Sequence, residues 1–186
     1  MRQPHRARAA FTIIELLIVM AIIIVLAGLI IGTSGYVQKK GARSRAEAEI
    51  AAFSAALESY KADNGIYPSD PTKTDSMNPT SAGVADYRAA SAFLYGELTG
   101  DRDFDGAPEA GTKSYMPFKP QMLQRANMSS DVGPSNRVLA MRDPFGDSYG
   151  YSTMKASGGA AGYNPTFDLW STAGAPGDQN QWIKNW

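Results

Sequence analysis

Two sets of carboxylates stand out by their spacing. In "GDRDFDGAPEAGT", Asp101, Asp103 and Asp105 alternate and Gly106 follows, which reproduces the D-x-D-x-D-G opening of a calcium loop. Glu109 sits at the ninth position of that loop, while Thr112 occupies the twelfth, where such loops carry a bidentate glutamate. Hard oxygen ligands at this spacing make Ca²⁺ the candidate cofactor, and a solvated acidic turn accounts for the same residues equally well. The second set has one member. Glu15 is the only charge in the 21 residues from Phe11 to Ile31. An ionisable group inside such a run is functional by default if a partner for it can be named.

Little other chemistry is on offer. The chain has no cysteine, and its one histidine, His5, lies in the first ten residues. Without those ten, neither imidazole acid–base work nor a thiolate nucleophile or a typical zinc site can be built. No phosphate-binding glycine loop is present. The first ten residues hold three of the 18 Lys+Arg and none of the 18 Asp+Glu, so the remainder carries −3. That balance argues against a nucleic-acid surface, which shows clustered basic residues. The expectation is a protein that is not an enzyme.

The elements that position these residues follow from hydrophobic pattern. As a helix, Phe11–Ile31 covers about 30 Å, the thickness of a bilayer core. Arg2, His5, Arg6 and Arg8 precede it and hold that end in the cytoplasm. Three readings compete: a signal peptide cut before Gly28, a plain signal anchor, or a segment in which Glu15 has a role. The first two leave the acid as an unexplained cost. Gly28 and Gly32 form a G-x-x-x-G spacing, suited to close helix–helix approach or to ordinary membrane-helix glycine usage. Beyond them, Ala46, Ile50, Phe53, Leu57 and Tyr60 recur along one helical face. Asn64-Gly65 supplies a stop. One helix from Thr12 to Asp63 is about 78 Å long, far beyond a globular norm. In the body, "DYRAASAFLYGELTG" reads as a short helix ending at Gly100, with Ala89, Phe93 and Leu94 inward. "NRVLAM", "SYGYST" and "FDLWST" read as short strands, the first two joined by the turn "RDPFGD". Pro144 and Gly146 read as turn residues and Trp170 as core.

The stretch "AFTIIELLIVMAIIIVLAGL" resembles the class III leader junction of type IV pilins and type II secretion pseudopilins. The resemblance implies that a membrane-embedded prepilin peptidase cuts between Ala10 and Phe11 and methylates the new Phe11 amino terminus. It also names a partner for Glu15: the Phe11 α-amino group of a neighbouring subunit. An ammonium and a carboxylate buried together satisfy each other where each alone is penalised. The family usually has glycine before the cut, and Ala10 is its nearest steric substitute. The family often has proline where this chain has Gly32. A second likeness lies in "DPFGDSYGYSTM" and "YNPTFDLWSTAG", similar to the major-pseudopilin pattern of a D-P-[aromatic]-G turn and a D-L-[aromatic]-S strand. Major pseudopilins bind calcium in a loop after that strand, where this chain has "TAGAPGDQNQ" with Asp178 alone.

The expected architecture is therefore α+β, a pilin fold. One very long N-terminal α-helix packs on a small antiparallel β-sheet head with an additional short helix. Residues 1–10 are a cleaved leader, 11–35 the transmembrane and filament-core half of the helix, and 36–186 a periplasmic or extracellular head. The expected function is a structural subunit of a type IV pilin-like filament, with a type II secretion pseudopilin favoured. The alternatives are a type IV pilus or competence pilin and, outside the family, a membrane-tethered binding module. The implied partners are other copies through the N-terminal helix, the prepilin peptidase, an inner-membrane assembly platform, minor pilins, and the membrane before assembly. The implied location is a single pass through the inner membrane, N-terminus cytoplasmic.

Overall fold

A computed structural model describes residues 11–80, 83–126 and 137–186, with residues 31–34 described by their helical backbone alone. The chain forms two units, one up to Gly41 and one from Ala42 to Trp186. Helix α1 (Ile13–Asn64) gives the first unit its described structure and the second its opening element.

In the first unit every residue from Phe11 to Ile30 is exposed. Here α1 is long and apolar enough to cross a membrane. A helix suits such a segment because it satisfies its own backbone groups without water. Gly28 and Gly35 have nothing within 4 Å of where a Cβ would sit, so the single chain makes no use of their small size. The side-chain surroundings of Gly32 lie outside the described residues.

In the second unit the apolar stripe of α1 builds the core. Ala46, Ile50, Phe53 and Leu57 are buried and Tyr60 is half-buried; each large side chain gains roughly 1.5–3 kcal/mol by leaving water. Gly65, at φ +81°, ends the helix and donates its N–H to Lys61 O at 2.7 Å. Against this stripe pack α2 (Tyr87–Thr99) and two antiparallel sheets. One pairs β1 (Leu123–Arg125) with β2 (Val138–Met141); the other runs β3 (Gly150–Ser152), β4 (Asp168–Ser171), β5 (Ile183–Lys184). The long helix, short helix and small antiparallel sheets make an α+β arrangement of the pilin type. Gly150 faces Trp170 across β3–β4, and a Cβ there would come within 2.0 Å of the indole ring. Only glycine fits.

Two expectations change. The strands form two sheets where one was expected. The turn "RDPFGD" does join β2 to β3, but only the Arg142–Ser148 bridge extends it. The buried Asp143 accepts the Phe145 and Asp147 N–H groups and the Ser171 hydroxyl of β4, which turns β3 toward β4. The inward face of α2 is also shifted. Leu94 is buried, but Ala89 is exposed and Phe93 half-buried, and the core side is completed by Tyr87, Ala90, Ser91 and Leu98. Ser91 is tolerated inside because its hydroxyl accepts the Met141 N–H at 2.8 Å, so neither of these two buried groups is left unpaired.

Candidate functional site

The start of α1 is organised by two side chains. Thr12 precedes the first helical residue, and its hydroxyl oxygen accepts the Glu15 N–H at 3.3 Å. Glu15 Oε2 in turn accepts the Thr12 N–H at 2.9 Å and the Thr12 hydroxyl at 2.8 Å. This is the reciprocal arrangement that T-x-x-E makes at a helix start. It satisfies first-turn donors that have no partner within the helix and places an anion where the macrodipole favours one. The carboxylate remains exposed and has no ion-pair partner among the described residues. Phe11, immediately before the cap, is 84 % exposed. Ala10 lies outside the described residues.

The acidic loop is built differently. α2 ends at Gly100, held at φ +76° with its N–H on Gly96 O, and the chain turns directly into Asp101. That carboxylate is fully buried. It accepts the Tyr95 hydroxyl at 2.7 Å, the Gly106 N–H at 2.8 Å and the Asp105 N–H at 3.1 Å. Burial and this bond to Asp101 both push the Tyr95 hydroxyl pKa up. Asp103 accepts the Asp105 N–H at 3.3 Å, and Asp105 accepts that of Ala107 at 2.8 Å. One carboxylate oxygen from each of Asp101, Asp103 and Asp105 lies within 4.8 Å of the others. Glu109 does not join this group; its backbone N–H bonds Gly100 O at 3.0 Å. Arg125 Nη2 lies 2.6 Å from where a Cβ on Gly106 would sit, and the Arg137 guanidinium lies 5.2 Å from the Phe104 ring centre.

The comparisons with known proteins bear on the first site. Residues 5–31 match the family model described as the prokaryotic N-terminal methylation motif. The chain carries a class III prepilin leader. This match covers His5, Arg6 and Arg8, the junction at Phe11, the Thr12–Glu15 pair and the apolar start of α1. It supports a type IV pilin-like subunit with processing by prepilin peptidase. No curated protein and no solved structure matches the chain.

The prepilin motif and the geometry meet at Glu15. The structure brings Phe11, Thr12 and Glu15 to one helix end, and three of the four acids of the distant loop to one point. The capping role of Thr12 is carried in the sequence by the T-x-x-E spacing. Tyr95, whose hydroxyl holds Asp101 from α2, carries no signal of its own in the sequence.

Proposed function

We propose that the chain is a structural subunit of a type IV pilin-like filament, with a type II secretion pseudopilin the favoured member of that class. The observation that carries the reading is the prepilin motif over residues 5–31, ending in an exposed apolar helix with one acid in its first turn. In this reading residues 1–10 are removed, residues 11–35 sit in the membrane and later in the filament core, and residues 36–186 form the head. The chain spans the inner membrane once, head outward, until an assembly platform extracts it into a helical polymer capped by minor pilins.

Glu15 explains why extraction does not simply return the helix to the bilayer. In an apolar environment its carboxylate is costly alone, and the Thr12 cap offsets only part of that cost. The Phe11 α-amino group of an adjacent copy supplies the missing positive charge. A charge pair among apolar helices is a weak source of stability but a strong source of register, since shifting one copy strands both ions. The D-P-[aromatic]-G turn at Asp143–Gly146 and the D-L-[aromatic]-S strand at Asp168–Ser171 favour the pseudopilin over a surface pilus or competence pilin. The test is immunolabelled electron microscopy of cells with and without active prepilin peptidase. Polymers containing this chain appear only with the peptidase; peptidase-independent polymers, or none in either strain, contradict the reading.

The acidic loop has its own reading: Asp101, Asp103 and Asp105 hold one Ca²⁺. In its favour, three hard oxygen donors converge within 4.8 Å on a loop whose Asp105 and Gly106 amides wrap the first aspartate. Thr112 at the twelfth position and Arg125 beside Gly106 both weaken affinity, toward the extracellular millimolar class.

A further inference from the structure

Tyr36, Lys39 and Lys40 stand on α1 just past the apolar run, within the first unit. At spacings of three and four residues they share one side of the helix. All three are exposed, Tyr36 at 72 %. At 1.5 Å per residue, Tyr36 lies about 8 Å beyond Ile31 and Lys39 about 12 Å. The headgroup layer outside a bilayer core is about 5–8 Å deep. Side chains on a helix lean toward its N-terminus, which here is the apolar side, so both ammonium groups can reach back to that layer on their flexible stems.

No acid competes for these two lysines. The sequence has no Asp or Glu between Glu15 and Glu47, and neither lysine has an ion pair among the described residues. The next cations along α1 are already engaged. Arg43 lies 3.4 Å from Glu47 and donates to Gln181 O at 2.7 Å, and the charge of Arg45 acts on Glu49. Tyrosine suits the same depth, because its ring is apolar and its hydroxyl polar. Two lysines are too few for a nucleic-acid surface. The anion that lies at this depth, continuous with the apolar segment, is the phosphate of a lipid headgroup.

We propose that Tyr36, Lys39 and Lys40 form a face that binds anionic lipid headgroups in the leaflet on the head side of the membrane. The inference rests on the membrane-held precursor of the filament reading and deepens it. Arg2, Arg6 and Arg8 precede the cut, whereas Lys39 and Lys40 follow the apolar run. Trimming at Phe11 therefore removes the cationic side chains from the cytoplasmic end and leaves them only at the head end. The trimmed chain is held to the bilayer by this outer face, and an assembly platform must strip the headgroups from it during extraction. The anionic lipid content of that leaflet sets how readily the subunit is drawn into polymer.

For the test, the full-length chain is reconstituted into vesicles of equal parts phosphatidylcholine and phosphatidylglycerol. Native mass spectrometry then counts the lipids each copy retains on gentle detergent extraction. Glutamine has nearly the helix propensity of lysine, so the variants keep α1, and the leader arginines are the same in every sample. The preference for phosphatidylglycerol falls ~5-fold in Lys39→Gln and by as much again in Lys39→Gln/Lys40→Gln, the worth of one cation near an anionic leaflet. Lys155→Gln, in the second unit, leaves it unchanged. A preference undiminished in the double variant, or lowered equally by Lys155→Gln, overturns the binding face. So does displacement of the lipid by millimolar inorganic phosphate, which makes a soluble anion the ligand, or a second copy held through Lys39 and Lys40 in the lipid's place. Carbonate extraction of the same vesicles tests the membrane span by itself. Chain released by carbonate overturns the span and the proposal with it, whereas chain that stays embedded without the lipid preference overturns only the binding face.

Discussion

A single oxygen of Glu15 receives both the N–H and the hydroxyl of Thr12, at 2.9 and 2.8 Å. The acid that interrupts the apolar segment is thus already employed within one chain, at the first turn of α1. It has capacity left, since a carboxylate offers about four lone-pair sites. Capping in the monomer and pairing with a neighbour's amine are therefore compatible.

The two roles separate by substitution at position 15. Glutamine keeps the cap, because a capping box accepts either residue, but it removes the charge. If Glu15 pairs with a neighbour's amino terminus, Glu15→Gln and Glu15→Ala both abolish polymer formation while the membrane-held chain accumulates normally. Normal polymer yield from Glu15→Gln reduces the residue to a helix cap.

Thr12 acts on assembly only through Glu15. Thr12→Ala removes the hydroxyl bonds, at a cost of about 0.5–2 kcal/mol to the helix start, and lowers polymer yield without abolishing it. Thr12→Ser retains the hydroxyl and restores yield. Equal yields from the Ala and Ser variants mean that the cap does not position the carboxylate.

Glu49 provides a pH test of how α1 is held in the second unit. Its Oε2 accepts the Tyr149 hydroxyl at 2.6 Å, and burial raises its pKa above the usual glutamate range, outweighing the bond from Tyr149 and the charge of Arg45. A carboxyl whose folded pKa is raised contributes stability that is present below its unfolded pKa, near 4.5, and lost as pH rises through the folded value. Glutamine carries no such dependence. The melting temperature of Glu49→Gln should therefore gain on the parent as pH increases from about 4 to 7. A difference that is flat with pH, or that falls, refutes the buried-charge account.

The calcium reading is checked by melting the full chain in detergent, with EDTA and with millimolar calcium. A calcium-dependent rise that disappears in Asp103→Ala supports the loop as a site. An unchanged midpoint, or a rise that survives the substitution, leaves an ordinary acidic turn pinned by Tyr95.

What could be read from sequence was the local part. Phe53 and Leu57 announce the core face of α1 because helical period alone decides their side. Gly65 and Gly100 mark helix ends because left-handed backbone favours glycine. Phe93 misleads for a physical reason: its apolar ring faces a groove, and a single chain's pattern cannot tell a groove from a core. Ser91 is hidden in the opposite way, since the Met141 backbone that makes its burial acceptable is 50 residues distant. β1 and β5, three and two residues long, are too short for any alternation to register. At the N-terminal site a lone acid among apolar residues was conspicuous, while its hydroxyl partner at Thr12 showed only as a four-residue spacing. At the acidic loop the aspartates were plain, but the bond from Tyr95 at the end of α2 depends on how the chain turns at Gly100.

The central claim is that the working chain begins at Phe11, freeing the amino group that Glu15 of a neighbour requires. Intact-mass spectrometry of the chain isolated from polymers measures this directly. The account predicts the mass of residues 11–186 plus one methyl group, with the methyl on the Phe11 nitrogen by fragmentation. A polymer-derived chain that retains residues 1–10, or that starts at Gly28, contradicts it.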